Sequence, residues 1–126
     1  MSLIVDADVI IGVLRRHVGA RAAFEDAVAR NLRLLSVTPV RTEVLRGVLP
    51  GEEKSTAMLL DSLDWIEVDA ALADRAGDLG RAFRRSHPGI EIVDLLLAAA
   101  AERFSADLLT RNVRHYPMFP GLLPAY

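Results

Sequence analysis

Four short runs rich in apolar residues, Leu3–Val5, Arg33–Val37, Trp65–Val68 and Ala106–Thr110, are separated by stretches of helical spacing far too long for hairpins. Strands joined by such crossovers pair in parallel, and a parallel sheet has to be covered by helices on both faces. The predicted fold is therefore α/β, with a central parallel sheet of four strands, or five if Leu122–Leu123 adds a short edge strand. The first run ends abruptly on Asp6. In open parallel sheets binding and catalytic groups gather outside the carboxyl ends of the strands, so Asp6 is the first candidate for a site.

The connecting segments carry their own punctuation. Val9 to Arg16 reads as a helix with Asp8 as its N-cap and Arg15 and Arg16 at its C-terminus, and Gly19 opens a second helix. Thr38-Pro39 reads as a helix start, with Thr38 as the cap, and Pro50-Gly51 ends that helix. Further helices are expected over about Glu52 to Leu63, from Leu72 to Phe83, and over Ile92 to Phe104. The last of these is apolar almost all round and is expected to pack in the middle of the molecule, with Asp94 in its first turn. A chain of 126 residues with 52% hydrophobic content suits one domain over residues 1–126, without repeats or linkers.

Composition narrows the chemistry. There are no cysteines, which excludes disulfides, thiolate metal sites and cysteine nucleophiles. The chain opens on a strand with no signal-like segment and no apolar run of membrane-spanning length, so a cytoplasmic protein with no membrane contact is expected. A net charge of −2 argues against a domain that coats nucleic acid nonspecifically. The positive charge is nearly all arginine, Lys54 being the only lysine. Codon usage explains that bias as readily as phosphate recognition does.

Four acids fall near the carboxyl edge of the predicted sheet: Asp6 and Asp8 after the first strand, Glu43 in the helix after the second, and Asp94 at the start of the apolar helix. Crowded carboxylates repel, and some take up protons unless a cation neutralises them. An all-oxygen set without cysteine or a histidine pair suits a hard divalent ion, Mg²⁺ with Mn²⁺ as a substitute.

The same residues lie within four motifs: a hydrophobic strand running into Asp6-x-Asp8, Thr42-Glu43-Val44-Leu45-Arg46-Gly47, Ile92-Val93-Asp94-Leu95-Leu96-Leu97-Ala98-Ala99-Ala100, and Leu108-Leu109-Thr110-Arg111-Asn112-Val113-Arg114-His115-Tyr116. In this order, and over essentially the whole chain, they resemble the PIN-domain nucleases, and within these the VapC-type toxins of VapBC toxin–antitoxin pairs. The resemblance implies a three-layer α/β/α fold and a Mg²⁺-dependent endoribonuclease with tRNA or rRNA as substrate. It also implies a homodimer and neutralisation by a cognate VapB-type antitoxin. Asp6, Glu43 and Asp94 match the family's three main acids. Asn112 stands where many members carry a fourth aspartate and others an asparagine, which implies weaker hold on a second metal. Asp8 stands where the family more often has asparagine or serine, and partly restores that charge.

Each residue also has a plainer reading. Asp8 can be a helix cap alone, Glu43 a solvated partner of Arg46, and Asn112 a turn residue. Thr110 either hydrogen-bonds a metal water or finishes its strand, His115 and Tyr116 read as packing or turn residues, and His17 and His87 as surface positions. Arg15, Arg16, Arg41, Arg46, Arg111 and Arg114 are candidates for RNA phosphate or antitoxin contacts. Two rival functions are a PIN-like binding module whose acids serve partner contacts, and a haloacid-dehalogenase-like phosphatase. The second lacks the required later lysine and acidic pair.

Overall fold

The computed structural model describes residues 1–126. The apolar runs form β1 (Ser2–Val5), β2 (Arg33–Val37), β3 (Asp64–Ile66) and β4 (Asp107–Leu109), all parallel, in the spatial order β3-β2-β1-β4. Leu3 lies opposite Leu34 on one side and Asp107 on the other, which makes β1 a central strand. The helices are α1 (Ala7–Leu14) and α2 (Val18–Ala29) before β2, α3 (Thr38–Arg46) and α4 (Glu53–Asp61) before β3, and α5 (Ala70–Phe83) and α6 (Ile92–Arg103) before β4. A 3-10 turn, Val113–His115, follows.

The first two crossovers step from β1 towards β3, and the third returns past β1 to its far side. Right-handed crossovers therefore place α5 and α6 on the opposite face from the first four helices, completing three layers. The reversal of direction occurs at β1, so the crevice outside its carboxyl end is the expected ligand position of this topology.

The core joins Ile4 and Val5 of β1 and Leu35 and Val37 of β2 to Val9, Ile10, Val40, Leu60, Leu72 and Leu97 from the helices. Each such side chain contributes about 1.5–3 kcal/mol over its exposed state. In α6 the run Leu96–Ala101 is buried throughout, as its all-round apolar character predicts, and four of those six residues are alanines. Small side chains let this helix lie close to the sheet. Asp94 is also buried on it, the one charge on the covered part of the helix. In β2 the buried Ser36 donates to the carbonyl of Val5 at 2.7 Å, which satisfies both groups.

Several local expectations are corrected. The first helix starts at Ala7 rather than Val9, and its N-cap is Asp6, whose carboxylate accepts from the backbone N–H of Ala7. Asp8 lies inside the first turn and caps nothing. The reason is that the strand runs on to residue 6: the Asp6 N–H still donates to Leu109 O at 3.0 Å, so the chain turns helical only after it. Thr38 is the first helical residue rather than a cap; Val37 precedes it without a side-chain bond, and Pro39 fills the first turn. Leu122–Leu123 forms no fifth strand, because Pro120 and Pro124 lack the N–H groups that a ladder needs. The tail is tied instead by a bond from Ala125 N–H to Thr110 O at 2.7 Å. His17, exposed as expected, has a local task as N-cap of α2, its Nδ1 accepting from Gly19 N–H. No helix is long and apolar enough to cross a membrane.

Candidate active site

Asp6, Asp8, Glu43, Asp94 and Asn112 line a single cleft of about 260 Å³ at the carboxyl end of β1, together with Ala7, Ile11, Glu91, Val93 and His115. Every residue proposed for the site from sequence is thus brought to one place, each by a different local device.

Asp6 is held at the end of β1. Its Oδ1 accepts from Ala7 N–H at 2.7 Å, while Oδ2 accepts from Thr110 Oγ1 at 2.7 Å and lies 3.2 Å from the Tyr116 hydroxyl. Burial, and then the charge of Asp8, push its carboxyl up to about 6, against the hydrogen bonds from Thr110 and Ala7.

Asp8 points into the same cleft from α1. Its Oδ2 accepts the Arg111 backbone N–H at 3.0 Å, which ties α1 to the loop after β4. Its Oδ1 is buried without any hydrogen-bond partner. Burial raises its carboxyl as well, against the Arg111 N–H bond. A carboxylate oxygen that is shielded from water and bonded to nothing is costly unless a cation meets it.

Glu43, on α3, makes no ion pair with Arg46; its carboxyl is raised first by burial and then by Asp94 and Glu91, and Arg46 opposes this only through its charge. Asp94 occupies the third position of α6 in a capping box with Glu91, its Oδ2 accepting the Glu91 N–H at 3.0 Å. Its dipole-friendly position at a helix start therefore coexists with a place in the cleft.

Two residues read from sequence as packing or turn positions belong to the site. His115 Nδ1 lies 2.9 Å from Asp94 Oδ2 and 2.9 Å from Asn112 Nδ2. One ring nitrogen can serve only one of these partners at a time. Tyr116 does pack, with 1% exposure, yet its hydroxyl sits between Asp6 Oδ2 and Asp94 Oδ1, at 3.2 and 3.3 Å. Burial, and then the charges of Asp6 and Asp94, push this phenol above its ordinary value, which keeps it a neutral donor. The one sequence signal for His115 was its spacing from Asn112, which the 3-10 turn converts into a shared side. Thr110 is fully buried and directly follows β4; its hydroxyl is engaged with the protein, donating to Asp6 and accepting the Asn112 N–H at 3.0 Å.

The donor set is all oxygen apart from His115, and three of its acids are raised above their ordinary range, first by burial and then by neighbouring acids. No three of these side chains form a ready-made ligand shell. By their oxygen donors the residues present suit a hard divalent cation.

The arginines divide. Arg15 is engaged with Glu52 and with Gly47 O, and Arg41 lies over the Trp65 ring at 5.2 Å. Arg111 stands at the rim of the cleft through its backbone bond to Asp8.

Comparison with known proteins gives a consistent picture. The family model described as PIN domain matches residues 3–117. The chain is 36% identical over 123 residues to Ribonuclease VapC19 of Mycobacterium tuberculosis, covering 98% of both chains. It is 38% identical over 125 residues to Ribonuclease VapC10 of the same organism, covering 98% of this chain and 92% of the relative. Among solved structures it resembles a toxin–antitoxin complex from Klebsiella pneumoniae, with a TM-score of 0.81 at 23% identity over 99% of this chain and 98% of that one. It also resembles VapBC2 from Rickettsia felis bound to a DNA fragment from their promoter, with a TM-score of 0.75 at 21% identity over 98% and 97%. At these identities the two structures attest the fold.

Proposed function

This chain belongs to the PIN-domain family, among the VapC-type proteins, and on that premise we propose that it is the endoribonuclease toxin of a toxin–antitoxin pair, dependent on Mg²⁺ or Mn²⁺ and acting on tRNA or rRNA. The observation that carries the reading is the meeting of Asp6, Asp8, Glu43 and Asp94 in one cleft at the switch point of a parallel sheet.

Asp6, Glu43 and Asp94 would hold the ion, with Asp8 Oδ1 as a further free oxygen beside them. A divalent cation there would supply Lewis acidity toward water and phosphoryl oxygen. The protein residues do the positioning. Thr110 and the Ala7 N–H fix the Asp6 carboxylate from two sides, and the Glu91 N–H fixes Asp94. The Tyr116 hydroxyl, neutral and buried, lies between these two acids and lowers their mutual repulsion by donating to either. Glu43 carries no such tie, so its carboxylate is free to turn toward an ion in the cleft. Asn112 adds no charge to the cleft, so one ion is proposed rather than two.

The structural likeness to toxin–antitoxin complexes supports a VapB-type antitoxin as partner; its seat over the cleft, with an arginine among the acids, rests on the family resemblance and on the negative charge of the cleft. A homodimer working in the cytoplasm completes the proposal.

The test is cleavage of a pool of total tRNA and rRNA by the partner-free protein, with Mg²⁺ or with EDTA, beside Asp94→Asn. Discrete fragments that require both the metal and Asp94 are expected. Equal cleavage by Asp94→Asn, or in EDTA, would overturn the mechanism. A complex with the antitoxin that cuts as fast as the free protein would remove the neutralisation.

A further inference from the structure

Six arginines of this protein face a carboxylate: Arg15, Arg30, Arg33, Arg75, Arg81 and Arg103 are each within an ion pair. Arg111 is exposed at the rim of the acidic cleft and has a different neighbour. Its guanidinium lies over the ring of Tyr126, 4.7 Å from the centroid. The distinction matters chemically. A carboxylate partner cancels the charge of an arginine and occupies its N–H groups, whereas an aromatic face holds the plane of the guanidinium and leaves its five donors directed outward.

Tyr126 is itself seated in a built slot. A Cβ added at Gly12 of α1 would fall 2.7 Å from its hydroxyl oxygen, and one at Gly19 of α2 would fall 2.7 Å from Cδ2 and 2.9 Å from Cβ and Cγ. The absence of a side chain at the two glycines makes room for the ring between the helices. The His17 ring covers it at 4.8 Å between centroids, and the preceding residue is tied to the end of β4 by the bond from Ala125 N–H to Thr110 O. Arg111 is thus held twice, by its backbone on Asp8 Oδ2 and by its side chain on Tyr126.

Resting on the nuclease reading above, we infer that Tyr126 is a positioning residue: it holds Arg111 at the rim of the acidic cleft as a clamp for an RNA phosphate. The cation at the rim also draws a polyanion towards a cleft whose acids would otherwise repel it, and it fixes which phosphate enters. Tyr126 acts through Arg111 and touches no reacting group.

The experiment measures binding of total tRNA in the cleavage-deficient Asp94→Asn protein over a series of salt concentrations, with melting temperatures recorded for each variant. Arg111→Ala is expected to weaken binding and to reduce the slope of log affinity against log salt by about 0.7, the value of one single-strand phosphate contact. Tyr126→Leu is expected to weaken binding about two- to five-fold, the equivalent of one exposed cation–π contact. Tyr126→Phe keeps the ring and is expected to restore the affinity. In the Arg111→Ala background Tyr126→Leu is expected to add nothing. Should Tyr126→Leu not fold, the proton resonances of the Arg111 side chain in the Asp94→Asn protein carry the test. They are expected upfield from the ring current, unchanged in Tyr126→Phe and shifted further in the RNA complex; ordinary positions would overturn the proposal. Independent effects of the two substitutions, or failure of Tyr126→Phe to restore binding, would also overturn it. Unchanged RNA binding with a weakened antitoxin complex would assign the pair to the protein partner instead. If the unmutated protein cleaves no RNA, the nuclease reading falls and this one with it. If it cleaves and the two substitutions are independent, only the clamp falls.

Discussion

Thr110 Oγ1 donates to Asp6 Oδ2 at 2.7 Å, joining residues 104 positions apart in the chain at the ends of adjacent strands. The same hydroxyl accepts the Asn112 N–H, so it fixes an acid of the cleft and the loop beyond it together. Thr110→Val keeps the shape and removes both bonds. It is expected to cost about 1.5–3 kcal/mol in urea denaturation, the range for a bond to a charged group, and to move the acid limb of cleavage to higher pH. Thr110→Ser retains the hydroxyl and is expected to keep most of both. An unchanged pH profile in Thr110→Val would show that Asp6 does not depend on this donor.

The metal-free protein is expected to lose stability as pH rises from about 4 to 6. Asp6 titrates near 6 in the fold and near 3.8 in the unfolded chain, so between those values the folded state binds more protons. Stability must then fall with rising pH, by about 3 kcal/mol from Asp6, and level off above pH 6. Asp8 and Glu43 are raised too and act in the same direction. The exposed acids Glu52 and Asp69 are lowered by their arginine partners; their contribution is lost only as pH falls below the ordinary carboxylate range. Denaturation in EDTA at pH 4.5 and 7.5 checks the sign. Asp6→Asn is expected to flatten the profile, and Mg²⁺ to stabilise more at the higher pH.

Tyr116→Phe removes the one hydroxyl between Asp6 and Asp94 and leaves the buried ring in place. The expected result is a folded protein, about 1–3 kcal/mol less stable at neutral pH without metal, with cleavage reduced and the loss of stability smaller below pH 5. Equal losses at both pH values would mean that the hydroxyl serves packing alone.

Two helical glycines are expected to respond in opposite ways to alanine. Gly77 in α5 has nothing within 4 Å of an added Cβ, so Gly77→Ala is expected to stabilise by about 0.5–1 kcal/mol through helix propensity. At Gly12 the Cβ would lie 2.7 Å from Ala20 Cβ and from the Tyr126 hydroxyl, so α1 and α2 would have to part. Overpacking costs about 1–3 kcal/mol, more than the propensity returns, and Gly12→Ala is expected to melt lower than the parent. It is also expected to disturb Arg111 through Tyr126, whereas Gly77→Ala is not.

Much of this protein was legible along the chain because the signals are local. Arg33–Val37 forms a strand with the very bounds its composition implies, and Ile92–Arg103 is a helix buried nearly all round because leucines and alanines leave it no polar face. Asp6 and Asp94 stand out because a strand end and a helix start present them to the carboxyl edge of the sheet; Glu43, inside α3, stands out only through the motif that resembles the PIN-domain nucleases. The misread capping of α1 is instructive. Asp6 and Asp8 are both good cap residues, and the choice between them is made by β4, whose Leu109 carbonyl keeps residue 6 in the ladder.

The class of fold, the parallel sheet, Asp6 and Asp94 follow from the chain alone, since periodicity and element ends specify these within a few neighbouring residues; Asp8 and Glu43 needed the family resemblance as well. Only the tertiary structure decided that His115 and Tyr116 join Asp94, that Asp8 Oδ1 is left without a partner, and that Tyr126 reaches between α1 and α2 to hold Arg111. These arrangements depend on directional contacts between residues on different elements, 21 positions apart for His115 and Asp94 and 103 for Arg111 and Asp8. Such contacts are set by how the strands register and the helices dock, and no local propensity encodes them.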